Sequence, residues 1–305
     1  GDIVRVELLS HDESKDSEKP FVMLESDAKR TYVAQSGLIG LNGPDSSRSG
    51  RPTYDVEKTT YTLADAKSIT TQDGKKQQVL TVPLVFKTPE GVEIIKSFTF
   101  TQGDYPITVK HQVINRSQQN WQGQMFGQLK RDNSDDPGKS SQGIFTLGTY
   151  LGGAWGTPEE HYNKLKFENF NDEKLNVEAK GGWVAIVQHY FVSAWIPGNL
   201  KLTQADGQPY TAKLESRQST DGMNIIGFTS PVINVPAGTS MEVDAKLYSG
   251  PKIQSELKDL ADGLNQTVDY GWLWPIAKLL FLGLQFFHNL LGNWGWSIIL
   301  LTILV

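Results

Sequence analysis

Acid-base chemistry is best supported by three neighbouring polar residues in the segment GTPEEHYNK. Glu159, Glu160 and His161 follow one another there, and a histidine beside a glutamate supplies the two groups that proton transfer needs. Consecutive side chains, however, do not share one face of a helix or strand. The pattern therefore favours an exposed loop or the start of a helix, and we expect no catalytic residue.

Metal and phosphate chemistry have less support. The five histidines lie far apart, without the spacing of a metal-binding pair on a helix or strand. Cysteine is absent, which excludes disulfides and thiolate ligands. The Gly-rich segments GLNGPDSSRSGRP and YLGGAWG lack the strand-to-helix spacing of a phosphate-binding loop and are predicted to be turns. We expect neither a metal nor another cofactor.

The charge balance excludes nucleic acid as a partner. The 305 residues carry 29 Lys and Arg against 34 Asp and Glu, for a net charge of -5. These charges are spread along the chain, without a basic stripe that could neutralise successive phosphates. Most of the chain has the composition of a protein surrounded by water.

Polar and apolar residues alternate with a period of two in the first two thirds of the chain, which predicts strands. Any site in this part of the chain would therefore be positioned by strands. The segments with this pattern are DIVRVELL, TTYTL, QVLTVPLVFKT, IIKSFTFTQ and PITVKHQVIN. Clusters of Gly, Pro, Asp and Asn separate them at short intervals. Many short strands with such punctuation predict an all-β sandwich.

The interior segment GGWVAIVQHYFVSAWIP, residues 181–197, is apolar but too short for a membrane-spanning helix. Its β-branched and aromatic residues favour two buried strands, or one strand that bends near Gln188 and His189. Four tryptophans could line a carbohydrate platform, although aromatic residues at alternate strand positions more often lie in the core. They are Trp121, Trp155, Trp183 and Trp195.

Helices replace strands towards the end of the chain. In PKIQSELKDLADGL, Ile253, Leu257 and Leu260 have the spacing of one helix face. From residue 270 to the end, the chain contains one formally charged residue, Lys278. If residues 275–291 are helical, Lys278 and three other polar residues fall within about a quarter-turn of an otherwise apolar cylinder. Those three residues are Gln285, His288 and Asn289.

A narrow polar stripe on an apolar helix is typical of a helix that lies in the membrane interface. Tryptophans at both ends suit the level of the lipid headgroups, and Gly292 with Asn293 would end the helix and turn the chain into the membrane. The predicted membrane-interface residues are Trp272, Trp274, Lys278, Phe281, Phe286, Phe287, Trp294 and Trp296. The alternative is a helix packed on the core of the chain's own domain.

The two ends indicate a fragment. The chain begins at Gly1 without a methionine, and WSIILLTILV at its end has half of the about 20 residues that span a bilayer. We expect this last segment to be the start of a transmembrane helix that the fragment interrupts.

Six blocks of the sequence resemble the YidC/Oxa/Alb family of bacterial membrane-protein insertases. They are SDAKRTYVAQSGLIG, FGQLK, GGAWGTPEEHYNKLKFENF, KGGWVAIVQHYFVSAWIP, LYSGPK and TVDYGWLWPIAKLLFLGLQFFHNLLGNWGWSIILLTILV. Together the blocks reach from the first strands to the last residue, and the final block is the most specific. The part of the family that they match is the large periplasmic domain of the insertase YidC, its interfacial helix and the start of its second transmembrane helix.

This resemblance implies a mutarotase-like β-supersandwich on the periplasmic face of the bacterial inner membrane. The implied boundaries are 1–250 for the supersandwich, 251–264 for a connecting helix, 270–291 for the amphipathic interfacial helix and 294–305 for the truncated transmembrane helix. The implied partners are the lipid bilayer, nascent membrane proteins, the Sec translocon and the SecDF accessory complex. The groove that performs insertion is expected beyond this chain, which would supply interaction surface and membrane anchoring without being an enzyme.

Two other functions stay open. A periplasmic carbohydrate-binding or mutarotase-like domain would need Glu159, His161 and a tryptophan in one cleft. A cleft that holds extended polypeptide would instead use exposed strand edges.

Overall fold

A computed structural model describes residues 1–14, 17–46, 52–71, 74–137, 150–198, 211–268 and 274–304. Eighteen strands form two antiparallel sheets within these ranges. The strands are β1 (Val6–Asp12), β2 (Pro20–Ser26), β3 (Thr31–Ile39), β4 (Asp55–Val56), β5 (Lys67–Thr70), β6 (Lys76–Lys87), β7 (Val92–Thr101), β8 (Pro106–Asn115), β9 (Trp121–Arg131), β10 (Gly152–Gly156), β11 (Asn163–Leu165), β12 (Asn176–Ala179), β13 (Trp183–Val187), β14 (Phe191–Pro197), β15 (Ala212–Gln218), β16 (Asn224–Thr229), β17 (Ile233–Val235) and β18 (Ser240–Pro251).

The two sheets stack as a sandwich and confirm the predicted all-β fold with helices at its end. The first sheet has the order β1-β2-β3-β9-β16-β15-β12, with β17 also paired to β9. The second has the order β11-β10-β13-β14-β18-β8-β7-β6-β4, with β5 also paired to β6. The α-helices that follow are α1 (Gln254–Leu260), α2 (Trp274–Leu291) and α3 (Trp294–Leu304). A 3₁₀ turn, Leu264–Thr267, follows α1.

The main core lies between the sheets and explains the period-two pattern. Along β9, residues alternate strictly between buried and half-buried, because every second side chain points to the opposite sheet. Trp195 of the second sheet meets Phe228 of the first with ring centroids 6.1 Å apart. Apolar residues of both inner faces thus leave water together, which is the main source of the sandwich's stability.

The strands β13 and β14 are buried on both faces, which explains their continuous apolar sequence. They are the two antiparallel strands predicted for residues 181–197, and Gln188 follows the first of them. One face belongs to the main core. The other face packs with Leu257 of α1 and with Leu264, both fully buried.

One predicted strand is wrong. The segment TTYTL, residues 59–63, does not form a strand, and its last residue begins a short 3₁₀ helix, Leu63–Asp65. The reason is a capping box, in which the Thr62 backbone N–H donates to Asp65 Oδ2 at 2.9 Å. Leu63 is 62% exposed, so the alternation here reflects no buried face.

Lys96 is a buried charge that joins the two sheets and the start of the chain. Its side chain, on β7, is 1% exposed, and Nζ donates to the carbonyl oxygens of Gly1 at 2.5 Å and Ser36 at 2.6 Å. Burial lowers the pKa of Lys96 from 10.5 to about 8, against the attraction of Asp2 and Asp45. The charged amine therefore opposes folding at neutral pH, although its two hydrogen bonds favour the native packing.

The pH dependence of stability should show this burial. Between pH 8 and 10.5 the unfolded chain keeps the Lys96 proton while the folded chain has lost it. The free energy of unfolding should therefore rise with pH in this window, by at most about 1.4 kcal/mol per pH unit. Urea unfolding of the wild type and of Lys96→Met measures the difference. The variant should lack this contribution, whereas Lys110→Met, at an exposed lysine on β8, should keep it; equal pH profiles for the wild type and Lys96→Met would contradict the assignment.

Candidate membrane interface

The helix α2 exposes a continuous row of large apolar side chains. Successive helical residues advance by about 100°, which places Leu279, Leu282, Phe286 and Leu290 within an arc of about 80°. Their exposed fractions are 72%, 53%, 65% and 71%. We call these four residues the apolar stripe. A helix packed into the sandwich core would bury such a stripe, so the alternative of a core helix does not agree with the structure.

Two further arcs complete the surface of α2. Gln285 and Asn289 are exposed beside the apolar stripe, on the predicted polar face, whereas His288 is half-buried. On the other side, Gly283 faces α3, where a Cβ atom on Gly283 would lie 3.1 Å from Leu301 Cδ1. A small residue at this place lets the two helices approach closely. The apolar stripe therefore lies between a polar face and a face covered by α3.

A tight turn joins α2 to α3 and fixes the hairpin. Gly292 has φ +66°, which favours glycine, and its N–H donates to the His288 carbonyl at 2.7 Å. Asn293 then caps α3, because its Oδ1 accepts the backbone N–H of Gly295 at 2.8 Å. The imidazole of His288 stacks on the indole of Trp294, with ring centroids 3.8 Å apart and an angle of 7° between the planes.

The structure places the predicted interface residues on this hairpin as far as it describes them. Trp272 lies outside the described residues, and Trp274 and Lys278 belong to α2 but their side chains are outside the description. Exposed fractions are 45% for Phe281, 65% for Phe286, 48% for Trp294 and 62% for Trp296. Phe287 is half-buried and contacts the Phe286 ring edge to face at 5.6 Å. Their contact with lipid stays a prediction.

The second helix of the hairpin, α3, is also largely apolar and exposed. It has 11 residues. Ile298, Ile299 and Ile303 are 53%, 49% and 78% exposed, while Ser297 is fully buried and donates from Oγ to the Asn293 carbonyl at 2.7 Å. Among the helices in the described part of the chain, none has both the length and the apolar character that crossing a membrane requires. That residues 294–305 begin a transmembrane helix stays a prediction.

The described segment that follows β18 is fixed to the sandwich at residues 262 and 263. Asp262 accepts a hydrogen bond at its carbonyl from Trp183 Nε1 at 2.9 Å. Gly263, with φ +79°, lies so close to the His161 carbonyl that a Cβ atom there would be 2.0 Å from the oxygen. Only glycine fits both the backbone conformation and the contact. The described segment after β18 is therefore held against the sandwich at Asp262 and Gly263.

The residues considered for sugar chemistry do not form a cleft. Glu159, Glu160 and His161 are exposed. His161 Nδ1 faces Asp262 Oδ2 at 3.3 Å, and Glu160 accepts from Asn163 in the same turn. Of the four tryptophans, Trp155 is half-buried and the others are in the cores, at 0 to 2% exposure, as the core interpretation predicted.

Two open hollows on the described surface contain neither the acid-base residues nor a tryptophan. One, of about 330 Å³, is formed by Tyr150, Leu151, Lys166, Phe167 and Glu168. The other, of about 190 Å³, lies over β9, β15 and β16, and its lining includes Gln128 and Arg217. The carbohydrate alternative therefore gains no support from the geometry.

Comparison with known proteins decides the family. A family model described as the YidC periplasmic domain matches residues 1–282, that is, the sandwich, α1 and the first half of α2. The chain belongs to the YidC periplasmic domain family. The resemblance read from the sequence is thereby confirmed.

Curated members of the YidC family match over the whole chain, including the hairpin. The chain is 46% identical over 306 residues to the membrane protein insertase YidC of Pseudomonas putida strain GB-1 and covers 51% of that protein. For the membrane protein insertase YidC of Azotobacter vinelandii strain DJ, the identity is 44% and the coverage again 51%. In both cases 100% of this chain is matched, so it spans about half the length of these relatives.

Solved structures outside the YidC family show only a distant likeness. A galactose mutarotase related enzyme from Lactobacillus acidophilus is 10% identical, with a TM-score of 0.38 over 64% of this chain and 70% of that one. The α-galactosidase from Lactobacillus brevis is 10% identical, with a TM-score of 0.43 over 81% of this chain and 32% of that one. A likeness at this level says nothing about activity.

Proposed function

We propose that this chain is the periplasmic part of a bacterial inner-membrane protein insertase, together with the helices that attach that part to lipid. The single observation that carries the attachment is the apolar stripe on α2. Each of its residues would lose water on insertion into the headgroup region, and a buried Leu or Phe side chain contributes about 1.5 to 3 kcal/mol. The family supports the insertase context, because its full-length members are named membrane protein insertases.

The role proposed for the chain is to position and to make contacts. Because the segment after β18 is fixed by Trp183 and Gly263, the sandwich would keep a defined orientation at the point where the chain leaves it. The sandwich would present its surface to other proteins on the periplasmic side of the membrane. We assign no catalytic step to it. The proposed partners are the lipid bilayer, nascent membrane proteins, the Sec translocon and its SecDF accessory complex.

Vesicle flotation tests the attachment. The chain, mixed with vesicles of phosphatidylethanolamine and phosphatidylglycerol, should move with them to the top of a density gradient. It should still do so at about 0.5 M salt, because apolar burial is not screened by ions as surface charge is. Without vesicles, the chain should stay at the bottom of the gradient. Folded protein that remains at the bottom in the presence of vesicles would contradict the proposal.

Crosslinking in cells tests the partners. Photoreactive residues can be placed in the full-length protein at Leu9, Tyr190 and Val232, which are 81%, 69% and 51% exposed on the sandwich of this chain. Crosslinks to translocon subunits, to SecDF or to nascent membrane proteins are expected from at least one of these positions. If all three react only with lipid or with nothing, while membrane proteins are still inserted, these faces of the sandwich are not partner surfaces.

A further inference from the structure

Two arginines are buried together at one end of the sandwich. Arg131, the last residue of β9, is 0% exposed, and Arg30, just before β3, is 5% exposed. Both face Asp136: Arg131 Nη2 lies 2.6 Å from Asp136 Oδ1, and Arg30 Nη2 lies 3.9 Å from the same oxygen. Gln188 Nε2, from the residue that follows β13 of the second sheet, donates to this oxygen as well. One carboxylate oxygen thus faces three donors.

Several guanidinium N–H groups remain after the contacts with protein are made. Arg30 donates through Nη1 to the Val22 carbonyl at 2.9 Å and through Nη2 to the Met23 carbonyl at 3.2 Å. Arg131 Nη2 also donates to the Ser134 carbonyl at 3.0 Å. Nε of Arg30 and both Nε and Nη1 of Arg131 are buried without an acceptor among the described residues. Buried charged donors without acceptors are costly.

The carboxylate of Asp132 is also nearby, but it accepts no hydrogen bond from these donors. Asp132 follows Arg131, but its Oδ2 accepts the Thr31 backbone N–H at 2.6 Å, and its Oδ1 accepts the backbone N–H and the hydroxyl of Ser134. These hydrogen bonds outweigh burial and hold the pKa of Asp132 below its usual value, so it is ionised but already occupied. The two arginines therefore present more hydrogen-bond donors than Asp136 accepts, although Asp132 and Glu25 also attract them electrostatically.

We infer that this buried arginine pair binds a small monovalent anion, such as chloride or formate. An anion within reach of Arg131 Nε and Nη1 would accept charge-assisted hydrogen bonds, which are roughly twice as strong as neutral ones. The ligand must be small, because both side chains are almost completely enclosed. A bulky anion such as gluconate would not fit.

Thermal unfolding of the whole chain in a non-ionic detergent tests the site. Sodium chloride replaces sodium gluconate at constant ionic strength, from none to about 0.2 M, and the melting temperature is followed by circular dichroism. A ligand that binds only the folded chain raises this temperature as its concentration rises. We expect an increase of about 3 °C in chloride, and a similar one in bromide or formate.

Two matched variants separate this site from a general salt effect. Arg131→Lys keeps a positive charge opposite Asp136 but lacks the Nε and Nη1 donors, so the chloride dependence should disappear. Arg116→Lys makes the same change at an exposed arginine paired with Glu93, and the melting temperature of this variant should still depend on chloride. If the Arg131→Lys variant does not fold, the Arg30→Lys variant is measured in its place. Equal melting temperatures of the wild type in chloride and gluconate would overturn the inference, and so would an unchanged chloride dependence in Arg131→Lys or its replacement.

Discussion

Replacing Leu282 and Phe286 of the apolar stripe by glutamate is expected to abolish attachment to phospholipid vesicles. The two side chains are 53% and 65% exposed on the chain, and in the headgroup region they would be surrounded by apolar atoms. Losing about 2 kcal/mol from each, and forcing two carboxylates towards lipid, should weaken binding at least about a thousandfold. In flotation, the variant should stay at the bottom of the gradient under conditions in which the wild type floats.

The control uses the neighbouring arc of the same helix. Gln285→Glu together with Asn289→Glu adds the same two negative charges to α2, but on the face predicted to meet water and headgroups. Attachment should then weaken by no more than about tenfold, and less at high salt. If both double variants lose binding equally, charge repulsion explains the loss and the apolar stripe does not. Circular dichroism shows whether each variant keeps its helices.

The strands of the sandwich were predictable wherever one face of a strand is buried. Alternation in IIKSFTFTQ and PITVKHQVIN corresponds to β7 and β8, since every second residue meets the opposite sheet. The same rule failed for TTYTL, because alternation is informative only when a partner surface exists. Thr62, three residues before Asp65, was the sequence signal for a capped turn. In an exposed segment such a capping signal outweighs alternation.

The buried charges also left a signal that the sequence analysis missed. Lys96 lies in phase with the buried Ile94 and Phe98 of β7. Arg131 is likewise in phase with the buried Met125 and Leu129 of β9. A charged residue at an inward position must find partners inside, so each could be predicted to be paired. Which partners they find could not be predicted, because Gly1 and Asp136 come from distant parts of the chain or from a loop.

The helical hairpin illustrates the other limit. Spacing alone predicted an amphipathic helix with its polar residues on one arc. Gln285 and Asn289 are exposed on that arc, whereas His288 is half-buried and the exposed Phe281 lies among them. The sequence did not indicate which apolar residues would be covered by α3. That division depends on the left-handed Gly292 and the cap at Asn293, which turn α3 back along α2 so that Gly283 and Leu301 meet. Which residues of α2 stay exposed in the apolar stripe therefore depends on the turn at Gly292 as well as on the sequence of the helix.

Asp136 is expected to be the charged side chain on which the stability of the sandwich depends most. It follows β9 of the first sheet and accepts hydrogen bonds from Arg131, the last residue of β9, and from Gln188, which follows β13 of the second sheet, so it connects the two layers. In Asp136→Asn, two buried guanidinium groups lose the carboxylate that faces them. Removing one partner of a buried ion pair costs about 3 to 5 kcal/mol, which is a large part of the 5 to 15 kcal/mol typical of a domain. The urea concentration at the midpoint of unfolding should therefore be lower for Asp136→Asn than for the wild type.

An exposed ion pair supplies the comparison. Lys110 and Glu242 face each other at 3.1 Å across β8 and β18, with side chains 46% and 51% exposed. Glu242→Gln also removes one carboxylate charge, but water solvates the remaining lysine, so the loss should be below about 1 kcal/mol. The difference between the two variants in the free energy of unfolding measures how much burial increases the cost of losing a carboxylate. If Asp136→Asn were as mild as Glu242→Gln, water or neighbouring acceptors must already neutralise the arginines, and the connection between the sheets would rest on apolar packing alone.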